Sequence, residues 1–77
     1  MNLDEIAQFV NEESIRGDLA REFAGIINDY QAGSITLEDK EALVKEVLGN
    51  FEAHGLAQDE VMWRWAISAA SLAAKVV

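Results

Sequence analysis

The chain has 77 residues, no cysteine, no proline and a net charge of −8. That leaves room for one small domain (residues 1–77), with neither disulfides nor thiolate metal sites to brace it. The charge is uneven: residues 1–60 hold 14 acidic and 4 basic side chains, or −10, whereas residues 61–77 hold 2 basic ones and no acid, or +2. So acidic a body argues against nucleic-acid binding, which sets Lys and Arg against phosphate, and against anionic membranes. It suits solubility, or docking on a basic protein surface.

The first residues bring Asp4 and Glu5 where a secretory signal would be basic, and no apolar stretch follows. Asn2 with Glu5 three places on has the form of a helix N-cap with its capping-box partner. Leu3, Ile6, Ala7 and Val10 then recur at helical spacing, predicting a short helix to Phe9 or Val10. Asn11 to Ser14 is a polar break. Gly17 costs a helix about 1 kcal/mol relative to Ala and blurs the point at which the next one starts.

Ile15, Leu19, Phe23, Ile26, Ile27 and Tyr30 share one arc of a second helix, with Asp18, Arg21, Glu22 and Asp29 outside it. Gly33 supplies a left-handed closing residue. Thr36, with Asp39 in the place of the usual Glu or Gln, opens a third helix by a capping box. Its apolar arc is Leu43, Val44, Val47, Leu48 and Phe51, and Glu41 and Lys45 stand in the favourable order for an ion pair. Gly55 ends it, and Gln58 or Asp59 caps a last helix over about 59–77. No strand-like alternation appears. The fold class expected is all-α: a small bundle of three main helices plus a short N-terminal one.

The last helix is the unusual element. Its polar residues Arg64, Ser68, Ser71 and Lys75 fall within roughly 60° of the helical circumference. Val61, Trp65, Leu72 and Val76 flank this stripe on one side, Trp63 and Ile67 on the other. Opposite it lies a face of Met62, Ala66, Ala69, Ala70 and Ala73. A helix apolar over roughly 300° is normally covered almost all round, and three short helices cover that much with difficulty. The small side chains invite close approach of another helix, from this chain or a second copy, with Trp63 and Trp65 gripping it from either side. Met62, Trp63, Trp65, Ala66, Ala69, Ala70 and Ala73 are therefore the expected interaction residues.

Candidate chemistry is thin. Asn28 to Asp39 has the glycine spacing of a calcium loop at Gly33, but Tyr30 and Ala32 occupy places that need oxygen ligands. His54 is the only histidine, so zinc lacks a ligand set; it suits the C-terminal end of the third helix. The serines have no nucleophile-elbow context, and no glycine-rich phosphate loop is present. No catalytic, cofactor or metal residue is assigned, and the chain reads as a non-enzyme.

The run Tyr30-Gln31-Ala32-Gly33-Ser34-Ile35-Thr36-Leu37-Glu38-Asp39 resembles a helix-turn-helix frequent in small virion or accessory proteins of tailed bacteriophages. It is similar also to the hairpin of the short C-terminal oligomerisation motif called SHOCT, with Lys40 where that motif has an aromatic. The resemblance implies a virion or accessory protein with protein partners and no catalytic residue to carry over; the residues themselves lead to the expectation of a protein partner or a homo-oligomer, no cofactor and a cytoplasmic setting. Two functions follow as expectations. One is a self-associating or virion-associated subunit docking through its apolar last helix. The other is an acidic decoy that occupies a basic surface of a partner through Asp29, Glu38, Asp39, Glu41 and Glu46.

Overall fold

The computed structural model describes residues 2–55 and 58–76. Four helices follow one another: α1 (Leu3–Ala7), α2 (Ile15–Gln31), α3 (Leu37–Ala53) and α4 (Glu60–Lys75). Among the described residues there is no strand. The all-α bundle expected from the periodicity is what the chain forms. Helix α2 is its hub: α1 packs on it, and α2, α3 and α4 pack pairwise.

The starts of α1, α3 and α4 carry the expected caps, although the Glu5 half of the Asn2 capping box is not formed, and Ser14, the end of the polar break, caps α2. Asn2 accepts a hydrogen bond from the Glu5 N–H at 3.0 Å, and Ser14 accepts one from the Gly17 N–H at 3.0 Å. Thr36 and Asp39 form a complete reciprocal capping box, and Asp59 accepts from the Met62 N–H at 3.1 Å. Gly33 and Gly55 close α2 and α3 at φ 79° and 74°, in the left-handed region that L side chains rarely adopt.

Three boundary or pairing expectations are corrected. Helix α1 stops at Ala7, because the Phe9 and Val10 N–H groups turn to the carbonyls three residues back, of Ile6 and Ala7. That tighter winding carries Phe9 onto α4. Helix α4 ends at Lys75, since Val76 is extended (ψ 129°); Val77 lies outside the described residues. The Glu41–Lys45 pair does not form: among the described residues the ion pairs are Glu12–Arg16, Asp18–Arg21 and Glu60–Arg64.

The core is built on the alanine face. Ala66, Ala69 and Ala73 have no exposed surface and Ala70 only 4%. Leu19, Ala20, Phe23, Ile26 and Ile27 of α2, Val44 and Phe51 of α3, and Ile6 of α1 complete the buried cluster. Small side chains on α4 let two other helices come close, which is how so short a chain encloses a core. The two tryptophans do flank this face. Trp63 stacks on Phe51 (5.9 Å between centroids, 13°), and Trp65 meets Phe9 edge-on (5.8 Å, 83°). Ala70→Leu should therefore overpack the core and cost about 1–3 kcal/mol. Ser68→Ala, on the exposed stripe, should change stability by less than about 0.5 kcal/mol. Paired thermal melts decide this: equal melting temperatures for Ala70→Leu and wild type would contradict the packing.

One polar group enters the core. Lys40 is fully buried, on the same arc of α3 as Val44, Val47 and Phe51. Its Nζ donates to the carbonyls of Ala74 (3.1 Å) and Val76, and lies 4.5 Å from the centre of the Tyr30 ring. A side chain of α3 thus caps the carbonyl end of α4, where a cation also meets the negative pole of the helix.

Candidate interaction surface

The seven residues expected to form an intermolecular contact divide in the structure. Ala66, Ala69, Ala70 and Ala73 are covered by the chain's own α2 and α3, so they offer nothing to a partner. Met62, Trp63 and Trp65 are half-buried at the margins of that face. The need for cover was overestimated. The buried and half-buried residues of α4 take up roughly 180° of its circumference, because Val61, Ile67 and Ala74 are left outside with the polar stripe.

What remains open on α4 is its outer face. Arg64, Ser68, Ser71 and Lys75 run along it, and Val61 (80% exposed) and Ile67 (41%) border it. Arg64 pairs with Glu60 one turn earlier. Two shallow grooves edge this face. One joins Val61, Met62 and Trp65 to Glu5 and Arg16; the other runs along Ile67, Ser71, Leu72 and Lys75.

The five candidate acids are all exposed but do not form one cluster. Asp29 and Glu46 line an open groove between α2 and α3, together with Glu22 and above Ile26, Leu43 and Val47. Asp39, on the same flank of α3 as Glu46, is engaged in the capping box. Glu41 lies roughly 140° round the helix from Glu46, and Glu38 stands between them on the solvent side. Sequence spacing could not show which acids faced α2.

Most of the basic side chains are used internally. Lys40 caps α4, and Arg64 pairs within its own helix. Arg21 donates to the Val10 and Glu12 carbonyls at 2.8 and 3.2 Å, and also binds Asp18. Arg16 grips Glu12 through two hydrogen bonds (3.0 and 2.9 Å), with its guanidinium 3.9 Å from the centre of the Phe9 ring. Arg16 and Arg21 together bind the α1–α2 loop onto α2. Their signal in the sequence was position alone: they stand two and seven residues beyond the Ser14 cap.

The Glu12–Arg16 pair makes acid stability testable. Hydrogen bonds from Arg16 hold the Glu12 carboxyl below its ordinary value of 4.5, against a smaller opposing effect of desolvation. A carboxyl lowered by folding stabilises the native state above its unfolded pKa, and that contribution is lost as pH falls through the folded value. Glu12→Gln should thus lower the melting temperature at neutral pH, and the difference from wild type should shrink on acidification below about pH 4.5. A difference that stayed constant down to strongly acid pH would rule the pair out as its cause. The pair is half-exposed, so solvent screening keeps the effect small.

The remaining candidates for chemistry stay apart. Among the described residues, no three of the His, Asp and Glu side chains gather as metal ligands would. His54 terminates α3, its Nδ1 lying 2.7 Å from the Asn50 carbonyl oxygen. No helix among the described residues is long and apolar enough to cross a membrane. The structure thus defines an acidic all-α domain with two unlike outer surfaces, the open face of α4 and the acid-rimmed α2/α3 groove. The chain matches no protein-family model, no curated protein and no solved structure.

Proposed function

We propose that this chain is a non-enzymatic interaction protein that self-associates, or joins a larger assembly, through the outer face of α4. The observation that carries this reading is Val61, 80% exposed beside Met62 and Trp65 in a helix with no acid beyond Glu60. Aromatic, Met and Arg side chains are enriched at the centres of protein interfaces, and Met62, Trp65, Arg16 and Arg64 all line this groove. The likeness of the Tyr30–Asp39 turn to small phage proteins makes a virion or accessory subunit the natural setting. Light scattering on a sizing column, run across a dilution series at low salt, tests self-association. A mass that rises with concentration supports it; a strict monomer at high micromolar concentration sinks it.

A second reading is favoured by the excess of acids on the surface. The Arg16, Arg21 and Arg64 pairs each neutralise one acid and leave the net charge as it is, and the burial of Lys40 makes the surface more acidic than the composition by one charge. Such a protein would occupy the basic, nucleic-acid-binding surface of a partner protein, with rapid association that weakens steeply with salt. Capture of a partner that moderate salt fails to release would count against it.

A further inference from the structure

We infer that the α2/α3 groove is a docking site for a basic amphipathic helix of a partner protein. This rests on the acidic reading above and narrows its surface to one groove. The lining runs from Ile15 and His54 at one end to Asp29 and Leu43 at the other, its two halves sharing Glu22, Val47 and Asn50. Ile15 to Asp29 spans roughly 21 Å of α2, the length of about four helical turns.

Charge and apolar surface coincide along it. Ile26, Leu43 and Val47 floor one half, and Leu19 and Phe51 continue the floor in the other. Glu22 and Asp29 stand two turns apart on one side of α2, with Glu46 across from them on α3, and all three are exposed. The ion pairs among the described residues are Glu12–Arg16, Asp18–Arg21 and Glu60–Arg64, so none of the three is neutralised. Asp18 and Arg21, which also line the groove, cancel each other. The grooves beside α1 and α4 lack this combination. The first has Asp4 as its one acid, and those along α4 hold Glu5 with Arg16 and Arg64, or Lys75 alone.

The form of the occupant follows from how the chain covers a neighbouring seam. Helix α1 packs on α2, and Phe9 just beyond it lies under the Arg16 guanidinium and against Trp65 of α4. The α2/α4 seam is thus closed by the chain's own short helix and the turn after it. Among the described residues nothing plays that part over the α2/α3 seam. An amphipathic helix laid in an apolar groove is a recurrent mode of recognition. With carboxylates on both walls, the helix that fits has apolar residues on its inner face and Lys or Arg on both flanks.

The probe is a fluorescent helical peptide about four turns long, with Leu at i, i+3, i+4 and i+7 and Lys on either side. A scrambled isomer keeps its charge and loses its apolar face. Two triple variants remove equal charge: Glu22→Gln, Asp29→Asn and Glu46→Gln in the groove, or Glu13→Gln, Glu41→Gln and Glu52→Gln at exposed sites outside it. Gly25→Leu blocks the groove without altering charge, and a Cβ there meets nothing within 4 Å, so the fold should stand. Fluorescence anisotropy should show the groove triple and Gly25→Leu each weakening binding at least about tenfold, and the outer triple much less. Wild type should bind the scrambled isomer at least about tenfold more weakly than the helix. If the scrambled isomer binds as tightly, if both triples weaken binding alike, or if Gly25→Leu changes nothing, the groove is not the site and general acidic docking stands. Wild type that binds neither peptide at low salt overturns both. Self-association of wild type that Gly25→Leu abolishes would make a second copy the occupant and overturn the proposal.

Discussion

Replacing Lys40 with Ala should lower stability by about 3–4 kcal/mol, more than truncating any other charged residue of this chain. The side chain has no exposed surface, and its Nζ supplies hydrogen bonds to two carbonyls at the end of α4. A hydrogen bond to a charged group contributes about 1.5–3 kcal/mol, and the cation adds its attraction to the helix pole. Removal acts twice, leaving the Ala74 and Val76 carbonyls without their donor and emptying the space filled by three methylenes and the ammonium. Lys40→Met separates the two effects. It restores most of the packing but none of the donors, so it should recover only part of the loss. Urea denaturation of the three proteins measures it. If Lys40→Met matched wild type, the hydrogen bonds would contribute nothing net, and Lys40 would be a filler of the core.

How much of this was legible beforehand follows from the range over which each interaction acts. Caps and turn glycines are local, and Asn2, Thr36, Asp39 and Asp59 act as the sequence grammar indicates. The arcs of α2 and α3 and the alanine face of α4 were visible as periodicity, which reports the direction of a side chain and not its partner. Lys40 shows the limit. Its place on the apolar arc of α3 was visible in the sequence, but its acceptors lie 34 and 36 residues away. The burial of the alanines within one chain was equally out of reach, because spacing cannot tell a helix of the same chain from one of a second copy. The candidate acids were dispersed for a related reason. The positions of Asp29 on α2 and of the other four on α3 were readable, but the side of α3 that faces α2 is set by packing.

Gly17→Ala should cost about 3 kcal/mol, although the same exchange eight residues later should stabilise the protein. Gly17 is buried in the first turn of α2, beneath the loop that leads from α1. A Cβ at this position would overlap the Glu12 carbonyl oxygen and stand 2.8 Å from its carbon and 3.2 Å from the Phe9 carbonyl oxygen. These are backbone atoms and cannot rotate aside. The loop must lift, and lifting it strains the contacts Arg21 makes with the Val10 and Glu12 carbonyls and the seat of Phe9 against Trp65. At Gly25 the added methyl meets nothing, so Gly25→Ala should gain about 0.5–1 kcal/mol from helix propensity alone. Denaturant unfolding of both variants checks the opposite signs. Hydrogen exchange locates the damage: Gly17→Ala should lose protection first at Phe9 to Ser14, with the α2–α3–α4 interior retaining it longer. Should Gly17→Ala prove as stable as wild type, the loop does not press on α2, and its attachment would rest on Arg16 and Arg21 alone.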